Sequence, residues 1–252
     1  MLQNFSHKFI KNRSWFGILL PIWVLASFFL VQVIVSVIYN LLLAIGVSFR
    51  GVNESVFNTV VGVIVYGLTI LIVIGVPLLV KKSKPSLEEL GLHKTPRFLD
   101  IFLAPAGFVV YLIISALLTA FAMQFLTFID FDQVQETGFD QLTQRYEFVL
   151  AFIVLVVIAP LAEELLFRGY LLGKLRKHVR TWLAVLITSV VFAFVHLAWN
   201  VGIDVFALSL VLCLLRVWTG SLWPSILLHM IKNGIAFYLL FINPTFLGTL
   251  VG

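Results

Sequence analysis

Long, continuously apolar blocks decide what this chain can fold into. Seven of them stand out, at roughly 15–47, 56–80, 99–129, 147–172, 181–199, 202–219 and 222–242. Most reach the about 20 residues that a helix needs to cross a hydrocarbon core of about 30 Å. None alternates polar and apolar positions as a barrel strand does, so helices are expected. Composition agrees. Only 12% of the 252 residues are charged and mean hydropathy is +1.09, where a soluble domain carries about 25% charged residues.

The predicted class is all-α: a single membrane domain over 1–252, a transmembrane helix bundle of about seven spans. Six or eight stay open, because the sixth block is short and the first is long. The first block is too long for the apolar region of a cleaved signal and has no small-residue cleavage site after it, so it reads as a retained signal anchor. The single cysteine, Cys213, lies inside the sixth block, which excludes an intramolecular disulfide and favours a small packing residue.

The basic residues orient the bundle. With the N-terminus cytoplasmic, thirteen of the 17 Lys and Arg fall on one side, among them Lys8, Lys11, Arg13, Lys82, Lys84, Lys94, Arg176, Lys177 and Arg180. Only Arg50 and Arg145 fall outside. The positive-inside rule then predicts N-in, C-out and an odd number of crossings. Basic loops on that side suit an anionic leaflet, so no nucleic-acid partner is called for. In the basic loop 81–98, Ser86 and Glu89 fit a helix cap, predicting a short surface helix over LEELGL. The loop 130–146, with Asp130, Asp132, Glu136 and Asp140, reads as solvated.

Ionisable residues inside the spans carry the functional signal. The fourth span holds Glu163, Glu164 and Arg168, the fifth His196, and the seventh His229, Lys232 and Asn233. A carboxylate at the centre of a spanning helix costs roughly 2.5–3.5 kcal/mol on insertion scales, so such groups must find partners or line a wet cavity. Glu164 and Arg168 are four apart with the acid first, which stacks them on one face as a pair. Glu163 lies about 100° away around the helix and is left as the free carboxylate, suited to a general base or to an interhelical hydrogen bond. His196 has Phe192 four residues before it, and His229 has Asn233 four residues after it. That second pair can present donors to one ligand oxygen. Lys232 is expected to snorkel or to pair with a carboxylate.

Glu163-Glu164-x-x-x-Arg168, Phe192-x-x-x-His196 and His229-x-x-x-Asn233, in that order on successive spans, resemble the CAAX-protease and bacteriocin-processing family of intramembrane endopeptidases, also called the Abi family. The resemblance covers about 147–242, the catalytic helical core, and leaves 1–146 as three further spans with their loops. It implies a bacterial cell-membrane enzyme that hydrolyses membrane-associated protein or peptide substrates. Glu163 would activate water with help from His196, His229 and Asn233 would stabilise the oxyanion, Glu164 and Arg168 would brace the site, and Phe192 would pack. Members are called metalloproteases. Glu163, His196 and His229 could supply three zinc ligands with an open water position, and the same residues could work without metal. Other membrane proteins are conceivable partners, and bacteriocin immunity is one associated role. Two other functions compete: a catalytically silent membrane scaffold, and a proton-coupled transporter, which an internal repeat or paired broken helices would favour.

Overall fold

The computed structural model describes residues 16–81, 85–131, 137–139 and 142–245. Lys8, Lys11, Arg13, Lys82, Lys84, Asp132, Glu136 and Asp140, invoked above, lie outside the described residues. The described chain is all helix: α1 (Phe16–Ala44), α2 (Glu54–Val80), α3 (Leu87–Leu90), α4 (Phe98–Phe125), α5 (Arg145–Leu175), α6 (Thr181–Phe194), α7 (Trp199–Thr219) and α8 (Trp223–Ile242). Six of these are long and apolar enough to cross a membrane. The chain is an integral membrane protein, and α6 is the shorter seventh helix of the bundle.

Burial sorts the helices into a core and a lipid-facing layer. Half of the most apolar window of α7 and 44% of that of α5 are buried, against 17% for α1, 11% for α2 and 17% for α4. Helices that are apolar all round and mostly uncovered present their side chains to lipid. Leu19, Ile64, Ile113 and Leu117 are among many large apolar residues that do so. Inside, Ala104 and Tyr111 of α4 pack on Leu208 and Leu212 of α7 and Leu228 of α8. Gly107 permits the close approach of α4 and α8: a Cβ there would sit 2.5 Å from the Leu228 side chain. Small residues at such crossings let membrane helices touch without a hydrophobic driving force.

Each end of the bundle is tied by its loops. At one end the Asn53 side chain caps α2 through Val56 N and donates to Glu147 Oε1 at 2.6 Å, while Glu147 Oε2 accepts from Thr143 and Gln144 backbone N–H groups at the start of α5. Asn58 of α2 donates to the Gly138 carbonyl, and Phe139 beside it is buried, so this part of the 130–146 loop docks rather than standing in solvent. At the other end Ser86 Oγ caps α3 by accepting from Glu89 N at 3.0 Å, as its spacing predicts. Gly91, at φ +77°, closes α3 in the left-handed conformation that glycine accepts freely. Leu222 N then donates to the Gly91 carbonyl, and Arg216 Nη2 to the Glu88 and Glu89 carbonyls, fastening α3 to the end of α7 and the start of α8. Glycines 169 and 173 of α5 let α3 lie close, since a Cβ on Gly173 would fall 2.7 Å from Glu89 O.

Among the described residues four stretches wind wider than an α-helix: Leu71–Gly75 in α2, Ile153–Ile158 and Leu165–Leu171 in α5, and Tyr238–Ile242 in α8. Two have a visible cause. Pro77 and Pro160 follow the first two stretches by two residues, and a proline ring clashes with the carbonyl four residues back while removing one donor. A wide turn relieves that crowding, and such turns gather at functional sites.

Candidate active site

The second and third wide stretches, both in α5, bracket a six-residue α segment, Ala159–Glu164, that ends on the two glutamates. The side chains of Glu164 and Arg168 are both fully buried and pair at 2.9 Å, as their spacing predicts. Two buried charges need more than each other. Glu164 Oε1 also lies 2.9 Å from His229 Nδ1, the imidazole N–H donating to the carboxylate. The Arg168 guanidinium lies 4.2 Å from the centroid of the Phe192 ring, within cation–π range.

Phe192 does more than fill space. Its fully buried ring meets Phe167, His196 and His229 edge-on at centroid distances of 5.0, 5.0 and 5.9 Å. It therefore spaces the two histidines and covers Arg168. The third motif is thus joined to the first through Glu164–His229, and the second to both through Phe192.

Glu163 faces a different environment. It is half-buried, with 13% of its side chain exposed, whereas Glu164 is sealed. Its Oε1 accepts a 2.7 Å hydrogen bond from Tyr66 Oη of α2, and its Oε2 lies 3.7 Å from His229 Nε2. His229 thus turns one nitrogen to each glutamate. Tyr66 escapes a sequence reading because one tyrosine in an apolar run carries no spacing signal, and α2 lies outside the motif region.

His196 is not in a helix, contrary to the apolar reading of 181–199. The helix α6 ends at Phe194, His196 sits in the following turn, and Leu197 adopts φ +56°. No Gly or Pro between 181 and 199 marks the stop. The His196 Nδ1–H still reaches the Phe192 carbonyl at 2.8 Å, which fixes the ring and leaves Nε2 uncommitted. Fourteen residues extend about 21 Å, short of the hydrocarbon thickness, so the turn carries His196 at depth. Non-helical backbone there is tolerated where protein or a wet cavity receives it.

Asn233 Nδ2 donates to the Leu155 carbonyl at 2.9 Å, inside the wide stretch of α5. One amide donor is therefore spent on a carbonyl of the widened helix rather than held beside His229. Lys232 pairs with Asp204 of α7 at 3.6 Å, and Asp204 Oδ1 accepts 2.6 Å hydrogen bonds from Tyr111 and Ser115 of α4. The expected carboxylate partner of Lys232 thus exists, on a helix whose single acid the motif pattern passes over.

Zinc would need Glu163, His196 and His229 as one ligand group. Among the described residues no three His, Cys, Asp or Glu side chains are grouped so as to hold a metal. Zinc-bound histidines also need a fixed partner on their second nitrogen. Glu164 supplies that for His229 and the Phe192 carbonyl for His196, but the three candidate ligands are not grouped closely enough to meet one ion, so the residues as placed do not fit a three-ligand zinc site.

Residues 145–235 match the family described as type II CAAX prenyl endopeptidase Rce1-like. Two curated relatives align over part of the same chain length. One is an Escherichia coli protein described as an uncharacterized 24.3 kDa protein, 33% identical over 87 residues, which are 32% of this chain and 40% of that protein. The other is the membrane-embedded CAAX protease MroQ of Staphylococcus aureus, 30% identical over 94 residues, 35% of this chain and 38% of that protein. The matches therefore span about two fifths of the length of these relatives. No solved structure matches the chain. The family match thus falls on the stretch of chain that carries the three motifs.

Proposed function

From the premise that residues 145–235 are of the Rce1-like family, we propose that this membrane protein is an intramembrane endopeptidase that cleaves membrane-associated peptides or proteins. The observation that carries the reading is the division between the two glutamates. Glu164 is sealed and doubly bonded to Arg168 and His229, while Glu163 stays partly exposed with His229 Nε2 at 3.7 Å. A separation of that size between two polar atoms suits a bridging water.

In this mechanism Glu163 takes a proton from that water as it attacks the scissile carbonyl. Tyr66 donates to the far carboxylate oxygen, which keeps Oε2 turned toward the water. His229, held by Glu164 through Nδ1, aims Nε2 at the oxygen that gains charge and stabilises it as an imidazolium, both ring nitrogens then carrying hydrogen between the two glutamates. His196, whose Nδ1–H is spent on the Phe192 carbonyl, presents Nε2 as an acceptor that holds the attacking water or an N–H of the leaving amine. Glu163 then returns its proton to that amine. Asn233 enters as an oxyanion donor only through its second amide hydrogen, since the first is held by Leu155 O. Arg168 offsets the negative charge of Glu164, so that the base beside it is not confronted by an unpaired buried anion.

The experiment is comparative proteomics of membrane and released peptides from cells carrying the wild-type chain or Glu163→Gln. Peptides that appear only with wild type, and whose precursors accumulate in the variant, support the reading. Identical peptide sets, with equal amounts of folded protein, would turn the assignment toward a silent scaffold.

A further inference from the structure

The basic end of the bundle holds a second site. Between α3, the end of α5, the start of α6 and the end of α7 lies a cleft of about 1340 Å³. Five Lys or Arg line it, namely Lys94, Arg176, Lys177, Arg180 and Arg216, against two acids, Glu88 and Glu89. One acid is already neutralised: Glu89 bonds Lys174 at 2.8 Å and Lys177 at 3.0 Å. The cleft is therefore cationic where the described structure supplies no counter-anion for Arg176 or Arg216 among its ion pairs.

Arg216 makes this a built site rather than a charged surface. The residue is 5% exposed, and its Nη2 is pinned by two backbone carbonyls of α3 at 2.9 and 3.3 Å. Its Nε has no partner, and neither has the buried Nε of Arg176. Buried guanidinium N–H groups without acceptors are costly, and they fork naturally onto phosphate oxygens.

The level of the cleft selects the source of that phosphate. It opens where membrane helices end, beside Trp182, itself a lining residue and 62% exposed, with Trp218, the penultimate residue of α7, 76% exposed. Exposed tryptophans mark the headgroup layer. A ligand that reaches these arginines laterally arrives from the headgroup layer. We propose that the cleft binds the phosphate of an anionic phospholipid, and that this lipid fastens α3 and the α5–α6 connection to α7.

The proposal is independent of hydrolysis, and lipid binding tests it directly. Detergent-purified full-length protein is titrated with phosphatidylglycerol, with phosphatidylcholine and with inorganic phosphate, reading retained lipid by native mass spectrometry and the shift in unfolding temperature. Phosphatidylglycerol should bind and stabilise, whereas the zwitterionic lipid should do neither. Removing charge at Arg176→Gln and Arg180→Gln should weaken phosphatidylglycerol by about fivefold per charge, leaving lipid-free stability and activity unchanged. Arg216→Lys should also lose affinity, because the planar fork is gone. Equal binding of both lipids, or retention of phosphatidylglycerol in the double variant, overturns the proposal. A shift from inorganic phosphate alone as large as from phosphatidylglycerol overturns the lipid assignment and identifies a soluble anion instead.

Discussion

Removing the Glu164 carboxylate should cost far more stability than removing the charge of Glu163, although the two are neighbours in sequence. Glu164→Ala strands Arg168, whose side chain is fully buried and whose Nε and Nη2 already lack hydrogen-bond partners. It also takes the acceptor from His229 Nδ1. Breaking a buried pair by deleting one partner costs about 3–5 kcal/mol, and the freed imidazole N–H adds about 1 kcal/mol or more. Glu163→Gln is milder, because the amide carbonyl still accepts from Tyr66 and the side chain is partly exposed, so a change below about 1 kcal/mol is expected. The assay is reversible unfolding in mixed micelles, run beside hydrolysis of a peptide identified by the proteomics. Glu164→Ala should be severely destabilised, whereas Glu163→Gln should be folded and inactive. Comparable stability losses in the two variants, or an active Glu163→Gln, would refute the division of labour.

Four further outcomes are expected. Tyr66→Phe, which deletes one hydrogen bond to a charged oxygen, should lower kcat about 10- to 100-fold with unfolding unchanged; wild-type kcat would remove Tyr66 from the site. Burial alone would raise the Glu89 carboxyl, but its bonds to Lys174 and Lys177 outweigh that and hold it below the ordinary value of 4.5. A depressed carboxylate stabilises the fold above its unfolded value and loses that contribution as pH falls through the folded value, so acid should cost wild type stability that Glu89→Gln does not lose. Cysteines placed at Ser83 and Thr137 in a Cys213→Ala background should label from opposite faces, and labelling of both from outside would overturn the topology. Activity should survive exhaustive chelation, and stoichiometric zinc whose removal stops cleavage and whose return restores it would replace the glutamate–histidine mechanism with a metal-assisted one.

The spans and the Glu164–Arg168 pair were legible because each follows from a period: length against bilayer thickness, and four residues against the helical turn. The Ser86–Glu89 cap is legible for the same reason. What escaped depends on contacts between helices distant in sequence. Nothing near Tyr66 marks it as the partner of Glu163, 97 residues away. Asp204 looks like an isolated acid until α4 and α8 surround it with Tyr111, Ser115 and Lys232. Glu164 has one sequence-local partner, Arg168, and one remote partner, His229, and only the first could be counted off. The end of α6 was hidden for a different reason. Val195, Leu197 and Ala198 are apolar and suit a helix as well as a turn, so hydropathy runs through the break that places His196.

Each wide turn in α5 accommodates one residue more than α-helical winding would, and this changes how the segment should be compared with its relatives. One residue is worth about 100° of rotation. Shortening Ile153–Ile158 by a single position would let it close as an ordinary helix, turning everything before it against Glu163 and pulling the Leu155 carbonyl away from Asn233. Two chains could then share every motif residue, and an unbroken helix through them, yet differ by a one-residue gap just upstream. Helical phase in α5 therefore has to be counted separately on each side of the glutamates, and an alignment that forbids that gap would pair lipid-facing positions with buried ones.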